Sequence, residues 1–155
     1  MLNNNETIIN FAPTGAVSGK KENSYIPISV NEIVDDVLYA CEIVITSVHL
    51  HVRDERNEIA KLSPELYGYV IEKLRKHAPS LVICVSLSGR YHKEIEERCS
   101  PLFLDKEIRP DMASLTLGSM NFLRSASVNT PETIIALAQK MIEQGIKPEL
   151  EVFDS

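Results

Sequence analysis

Two histidines one residue apart, His49 and His51, are the side chains whose type and spacing most directly suggest chemistry. They alternate with Val48, Leu50 and Val52, the period-two pattern of a strand, so the apolar set takes one face and both imidazoles the other. Side chains two residues apart on a strand are separated by roughly 6.5–7 Å along the backbone. From that separation two ring nitrogens can lean onto one metal ion at about 2.0–2.1 Å each. A lone His-x-His pattern also occurs without a metal, and position is what favours a site. The pair ends a segment that begins with the apolar run Ile43-Val44-Ile45 and is followed by Arg53-Asp54-Glu55-Arg56-Asn57. The carboxyl end of a strand is where α/β sheets and barrels build their sites.

The elements that must hold these histidines alternate along the chain. Thr7–Ala12 reads as a short first strand, ended by Pro13 and Gly15. Gly15, Gly19 and Lys20 lack the spacing of a phosphate-binding loop, because a further glycine and a following Ser or Thr are missing. Ser29-Val30-Asn31-Glu32 has the order of a capping box, with Ile33, Val34, Val37, Leu38 and Cys41 at helical spacing behind it. Ser63-Pro64-Glu65 opens a second helix with a cap, a proline at the first helical position and an acid in the first turn. Leu66, Val70, Ile71 and Leu74 form its stripe, and His77 in the last turn suits a helix end. Leu81–Val85 is a continuous apolar run, as in a parallel strand covered on both faces, and it leads into Ser86-Leu87-Ser88-Gly89-Arg90.

A short helix carrying Ile95 and Cys99 follows, then a strand over Asp111–Leu117 with Ser114 and Thr116 on one face. Thr130-Pro131-Glu132 starts a helix that Gly145 stops. Pro148–Asp154 reads as a fifth strand, with Glu149 and Glu151 sharing a face. Alternating strands and helices with short links select an α/β fold with a parallel sheet. Five strands and four helices are about half of a (β/α)8 TIM barrel. A chain that stops at such a strand is expected to be the N-terminal portion, residues 1–155, of a single truncated barrel domain.

Composition narrows the class. The 155 residues are 44% hydrophobic and carry a net charge of −6, which fits one soluble globular domain and argues against general affinity for nucleic acid or anionic membrane. Cys41, Cys84 and Cys99 are odd in number and lack a Cys-x-x-Cys spacing. They read as reduced, mostly buried thiols of a cytoplasmic protein. Met1–Glu6 lacks the order of a signal peptide, and no apolar run approaches the roughly 20 residues of a membrane span.

Five ordered segments are similar to a known family. Ala12–Ala16, His49–Asp54, Ile83–Arg90, Pro110–Leu117 and Lys147–Asp154 together resemble the β-keto acid cleavage enzymes, which include the 3-keto-5-aminohexanoate cleavage proteins. The resemblance implies a zinc-dependent barrel that condenses a β-keto acid with acetyl-CoA to give acetoacetate and a new acyl-CoA. It implies His49 and His51 as two zinc ligands, Ser86 and Gly89 at the substrate carboxylate, Ser114 and Thr116 as a second polar wall, and Glu151 as a catalytic acid. The family's third ligand, a glutamate, and its catalytic arginine and aspartate are expected after Ser155.

As bare sequence, the serines, threonine and glycine read equally as strand-end caps and turns. An acid facing a barrel interior is costly unless paired or functional. Glu149 is read as lying in solvent or pairing with an arginine, Arg53 and Asp54 as supports of the metal strand or a solvated turn, and Tyr91 and His92 as surface residues. Family members acting on the amino-bearing acid usually carry a glutamate where this chain has Val17, so the resemblance implies a neutral or apolar β-keto acid.

An open half-barrel is expected to associate with itself, and homo-oligomerisation is the expected state. The alternative to the enzyme reading is an inactive barrel fragment that serves as a structural or binding subunit. A metal hydrolase of another barrel family is a weaker third reading, because its His-x-His closes the first strand rather than the second.

Overall fold

The structure, a computed structural model, describes residues 7–153 apart from Arg124. The readings placed on Met1–Glu6 and on Asp154 lie outside the described residues. Five strands form one sheet: β1 (Asn10–Phe11), β2 (Ser47–Leu50), β3 (Val82–Val85), β4 (Met112–Thr116) and β5 (Lys147–Glu151). All neighbours are parallel, and their order across the sheet is their order in the chain. A doubly wound sheet reverses direction at a switch point, and this one does not.

The sheet is strongly curled. With neighbouring strands about 4.8 Å apart, the edges of a flat five-stranded sheet would stand about 19 Å from each other. Yet the Asn10 side-chain amide, on edge strand β1, donates to Glu149 Oε1 on the opposite edge strand β5 at 3.1 Å. Inward side chains of the first and fifth strands therefore meet across a concave face. That curvature is barrel-like, although the described strands do not close a barrel.

Helices α1 (Val30–Ile43), α2 (Pro64–His77) and α4 (Pro131–Gln144) form where the capping residues predict, and the short helix α3 (Ile95–Cys99) carries Ile95 and Cys99 as expected without a side-chain cap. Ser29 and Glu32 make both bonds of the capping box, Ser63 and Thr130 each accept from the N–H three residues on, and Gly145 ends α4 in the left-handed region at φ 69°. Helix α1 buries Ile33, Val34 and Val37, and α2 buries Val70, Ile71 and Leu74 against Ile83 and Val85 of β3. No helix among the described residues is long and apolar enough to cross a membrane.

Three features depart from the sequence expectation. The first strand is two residues rather than six. The last runs Lys147–Glu151. The histidine strand stops at Leu50, because Val52–Arg53 leaves the sheet to pair antiparallel with Ala60–Lys61.

The outer side of β5 is open: Leu150 is 61% exposed and Val152 69%. An unpaired edge with exposed apolar residues is what self-association would use.

Tyr67, on α2, is fully buried, and its hydroxyl lies 3.3 Å from both the Leu50 and Ser86 carbonyls. It thereby ties the carboxyl ends of β2 and β3 together directly beneath the region where His51 and Ser86 emerge. Tyr67→Phe is expected to cost about 1–2 kcal/mol, the loss of a buried hydrogen bond with its acceptors left behind. Urea denaturation of the two proteins would check it, and an unchanged midpoint would remove this role from Tyr67.

Candidate functional site

The carboxyl ends of four strands converge on one cavity of about 180 Å³. His51 follows β2, Ser86 and Ser88 follow β3, Thr116 ends β4 and Glu151 ends β5, and all five line it. Arg90 and Phe122 form part of its wall. Of the residues singled out from sequence, His51, Ser86, Thr116 and Glu151 are brought together here.

Glu151 is held by a short bond: the Thr116 hydroxyl donates to its Oε2 at 2.6 Å. Its Oε1 has no hydrogen-bond partner among the described residues. Ser114 and Gly89 do not line the cavity. The Ser114 hydroxyl accepts from the Leu87 N–H at 3.0 Å and is 2% exposed, so it holds the β3 loop in place. Gly89 packs against the Arg98 guanidinium, and a Cβ there would fall 2.9 Å from Arg98 Nη1 and 3.1 Å from the Val128 carbonyl.

His49 sits one layer deeper than His51, on the same side of the chain, with ring centroids 5.2 Å apart. Its Nδ1 lies 2.5 Å from Glu149 Oε2. Glu149 also accepts from the Cys84 thiol at 3.3 Å and from Asn10. The expectation that Glu149 lies in solvent or pairs with an arginine is thus corrected. Curling of the sheet carries it across to β2, where its partner is a histidine. The hydrogen bond from His49 leads the causes that hold the Glu149 carboxyl below the usual range, against the opposing effect of burial.

An ionised carboxylate only accepts, so His49 carries a proton on Nδ1, and Nε2 is the ring nitrogen left to ligate. His51 is pushed down to about 3, first by burial and then by the charges of His49, Arg53 and Arg90. It is therefore neutral near pH 7. A neutral His51, beside a His49 whose Nδ1–H is bonded to a carboxylate and whose Nε2 is left for a cation, makes the kind of donor set that a zinc ion takes from histidines. The residues fit two of the three protein ligands usual at a catalytic zinc.

The ligand atoms of His49, Cys84 and Glu149 also lie within 4.8 Å of one another, close enough to share a cation. Burial, and then the charge of Glu149, pushes the Cys84 thiol well above its ordinary range, so it keeps its proton. Metal ligation would require the thiolate.

Two arginines that the sequence leaves open or unnoticed are buried around the cavity. Arg53, 3% exposed, donates to the carbonyls of Glu58 and Ser18 at 2.7 and 3.0 Å, to that of Gly15, and to the Thr14 hydroxyl. It is a support, pinning the loop after β1 to the histidine segment, whereas Asp54 turns outward to Lys61 at 2.6 Å. Arg98, 1% exposed, donates to the Leu87 carbonyl at 2.9 Å and to the Asn129 side chain at 2.8 Å. Neither meets a carboxylate among the described residues. His92 is not simply a surface residue: its Nε2 lies 3.2 Å from the Ala60 carbonyl, tying the β3 loop to the hairpin after β2.

Comparison with known proteins gives these features a family. A family model described as beta-keto acid cleavage enzyme matches residues 6–155. A 3-oxoadipate:acetyl-CoA acetyltransferase from Cupriavidus necator is 42% identical over 147 residues, covering 95% of this chain and 50% of the relative. A 3-keto-5-aminohexanoate cleavage enzyme from Acetoanaerobium sticklandii is 36% identical over 148 residues, covering 95% and 52%. Among solved structures, apo ObcA superposes with a TM-score of 0.76 at 22% identity, over 83% of this chain and 30% of that one. The likeness to ObcA concerns the fold. The chain spans about half the length of the curated relatives it matches. It belongs to the β-keto acid cleavage enzyme family.

Proposed function

We propose that this chain forms the metal-binding and substrate-holding half of a (β/α)8 enzyme that condenses a β-keto acid with acetyl-CoA, giving acetoacetate and a new acyl-CoA. The observation that carries the reading is the convergence of His51, Ser86, Thr116 and Glu151 on one cavity at the strand ends, in a chain matched by the family over residues 6–155.

His49 and His51 would hold the zinc. When bound, zinc supplies Lewis-acid stabilisation of charge developing on the keto acid's oxygens. The Ser86 and Ser88 hydroxyls face the same cavity and can donate to the acid's carboxylate. Glu151, held by Thr116, is the group placed to take or return a proton at Oε1. Ser114, Arg98 and Tyr67 act indirectly by fixing the loop after β3. The relatives' names span a dicarboxylic and an amino-bearing keto acid. The far end of the substrate is thus the variable part, and Val17 on the outer rim offers no charge to an ammonium group. Cytoplasmic location and a homo-oligomeric state accompany this reading.

The test is zinc content together with acetoacetate formation from β-keto acids and acetyl-CoA, on the 155-residue chain and on a form extended to the relatives' length. The extended form is expected to hold stoichiometric zinc and turn over, and His49→Ala or His51→Ala to abolish both. Turnover without metal would overturn the zinc assignment. An extended form that holds zinc but yields no acetoacetate from any β-keto acid would leave the silent-subunit reading.

A further inference from the structure

Arg90 has no use yet assigned to its charge. Its backbone N–H is bonded to the Ser88 hydroxyl, but among the described residues its guanidinium makes no hydrogen bond and no ion pair. Its Cζ lies over the Phe122 ring, 3.7 Å from the centroid. Phe122 is in turn braced edge-on by Phe153, centroids 6.0 Å apart. The cation is thus positioned by aromatic packing, and none of its side-chain donors is engaged among the described residues.

Its location is the second observation. Arg90 lines both the inner cavity, with His51 and Ser86, and the outer cavity of about 550 Å³, with Val17 and Tyr91. A substrate whose reacting end sits at His51 shares the inner cavity with this guanidinium, which also faces the outer one. In a chain of net charge −6, the inner wall sets one acid, Glu151, against Arg90, and the buried Arg53 and Arg98 nearby are bonded to neutral oxygens and keep their charge. The local field there favours an anion.

We propose that Arg90 is a specificity-determining residue that binds a second, distal carboxylate, so that the preferred substrate is a β-keto dicarboxylic acid. This rests on the keto acid reading above and departs from the neutral or apolar tail that Val17 alone implied. A guanidinium presents paired donors that match a carboxylate's two oxygens, and stacking leaves that edge free. The phosphates of acetyl-CoA offer similar anionic chemistry. The inner cavity of about 180 Å³ suits a small acid, and because Arg90 also lines the outer cavity the binding test separates the two anions.

The binding test uses stable acids of equal length, adipate and hexanoate, titrated into this chain by calorimetry, with Arg90→Gln and Arg90→Lys beside it. Adipate is expected to bind about tenfold more tightly than hexanoate, the scale of one charge-assisted contact. Arg90→Gln is expected to bring that ratio close to one, while Arg90→Lys, which keeps the charge and loses the fork, retains part of it. Amide spectra of all three proteins establish that the fold is kept. A ratio near one in the unaltered protein, a ratio unchanged by Arg90→Gln, or a loss confined to coenzyme A binding would each overturn the proposal, the last by assigning Arg90 to the phosphates.

Turnover separates this from the broader reading. If the extended enzyme forms acetoacetate equally well from 3-oxohexanoate and 3-oxoadipate, the specificity proposal fails and the cleavage reading stands. If adipate preference depends on Arg90 but no keto acid is cleaved, the reverse holds.

Discussion

In metal-free protein, kept so by a chelator, stability to urea is expected to fall by about 1.4 kcal/mol for each pH unit lost between about pH 6.5 and pH 3, through His51 alone. The unfolded chain takes up a proton on this imidazole near its ordinary value, about 6.5. The folded chain refuses it until about 3, because burial leads and His49, Arg53 and Arg90 add repulsion. Across that window the unfolded state binds one proton more than the folded state. Acid therefore favours unfolding, and stability rises with pH until the unfolded histidine is itself neutral. Glu149 adds in the same direction at lower pH: its carboxyl is depressed, so the stability it contributes is full above the ordinary carboxylate value and is lost as pH falls through its lowered one. The His51 share is isolated by subtraction. Denaturation midpoints of the unaltered protein and of His51→Gln, taken from pH 7.5 to pH 4, should diverge progressively with acid. Parallel curves would show that His51 is protonated as readily in the folded chain as in the unfolded one.

The elements were largely written in local signals, and the contacts between them were not. Ser29 with Glu32, Ser63 with Pro64, and Thr130 with Gly145 mark helix ends through bonds that span three or four residues, and those ends stand where the sequence places them. His49 and His51 do face the same way, as period two predicts, even though the strand stops at Leu50. The hairpin that stops it has readable turn residues in Asp54 and Asn57, whose carboxylate and amide accept from the N–H two residues on. Its left-handed residue is Glu58, at φ 59°, a residue type that gives no such signal.

The fate of Glu149 depended on curvature. Period two places Glu149 and Glu151 on one face, but only the curl that brings β5 opposite β1 and β2 decides that one meets His49 and the other Thr116. Arg98 shows the same limit in another form. It sits in the short helix of Ile95 and Cys99, where nothing local marks it, and its burial follows from the Leu87 carbonyl 11 residues away and the Asn129 side-chain oxygen 31 residues away. A buried arginine satisfied by a main-chain carbonyl and a distant amide side chain, with no carboxylate partner, leaves no local trace in the sequence.

Glu149 is also the residue whose removal should show most directly whether His49 is a metal ligand. Its carboxylate accepts the Nδ1–H at 2.5 Å and thereby leaves Nε2 as the nitrogen that can ligate. In Glu149→Ala that constraint is gone, the proton can move to Nε2, and the imidazole must reorganise before it can ligate. Zinc affinity is expected to fall by about ten- to a hundredfold, the usual effect of removing a carboxylate behind a ligating histidine. Glu149→Gln should lose less, since its amide oxygen can still accept from Nδ1 although it brings no charge. Competition against a chromophoric chelator gives the affinities. Imidazole nitrogen shifts in the metal-free chain give the tautomer without reference to zinc, with Nδ1 protonated in the unaltered protein and a mixture in Glu149→Ala. If the alanine variant keeps both the affinity and the Nδ1 tautomer, Glu149 plays no part in preparing the site. If the tautomer shifts while zinc binding is unaffected, His49 is oriented by Glu149 but does not hold the metal.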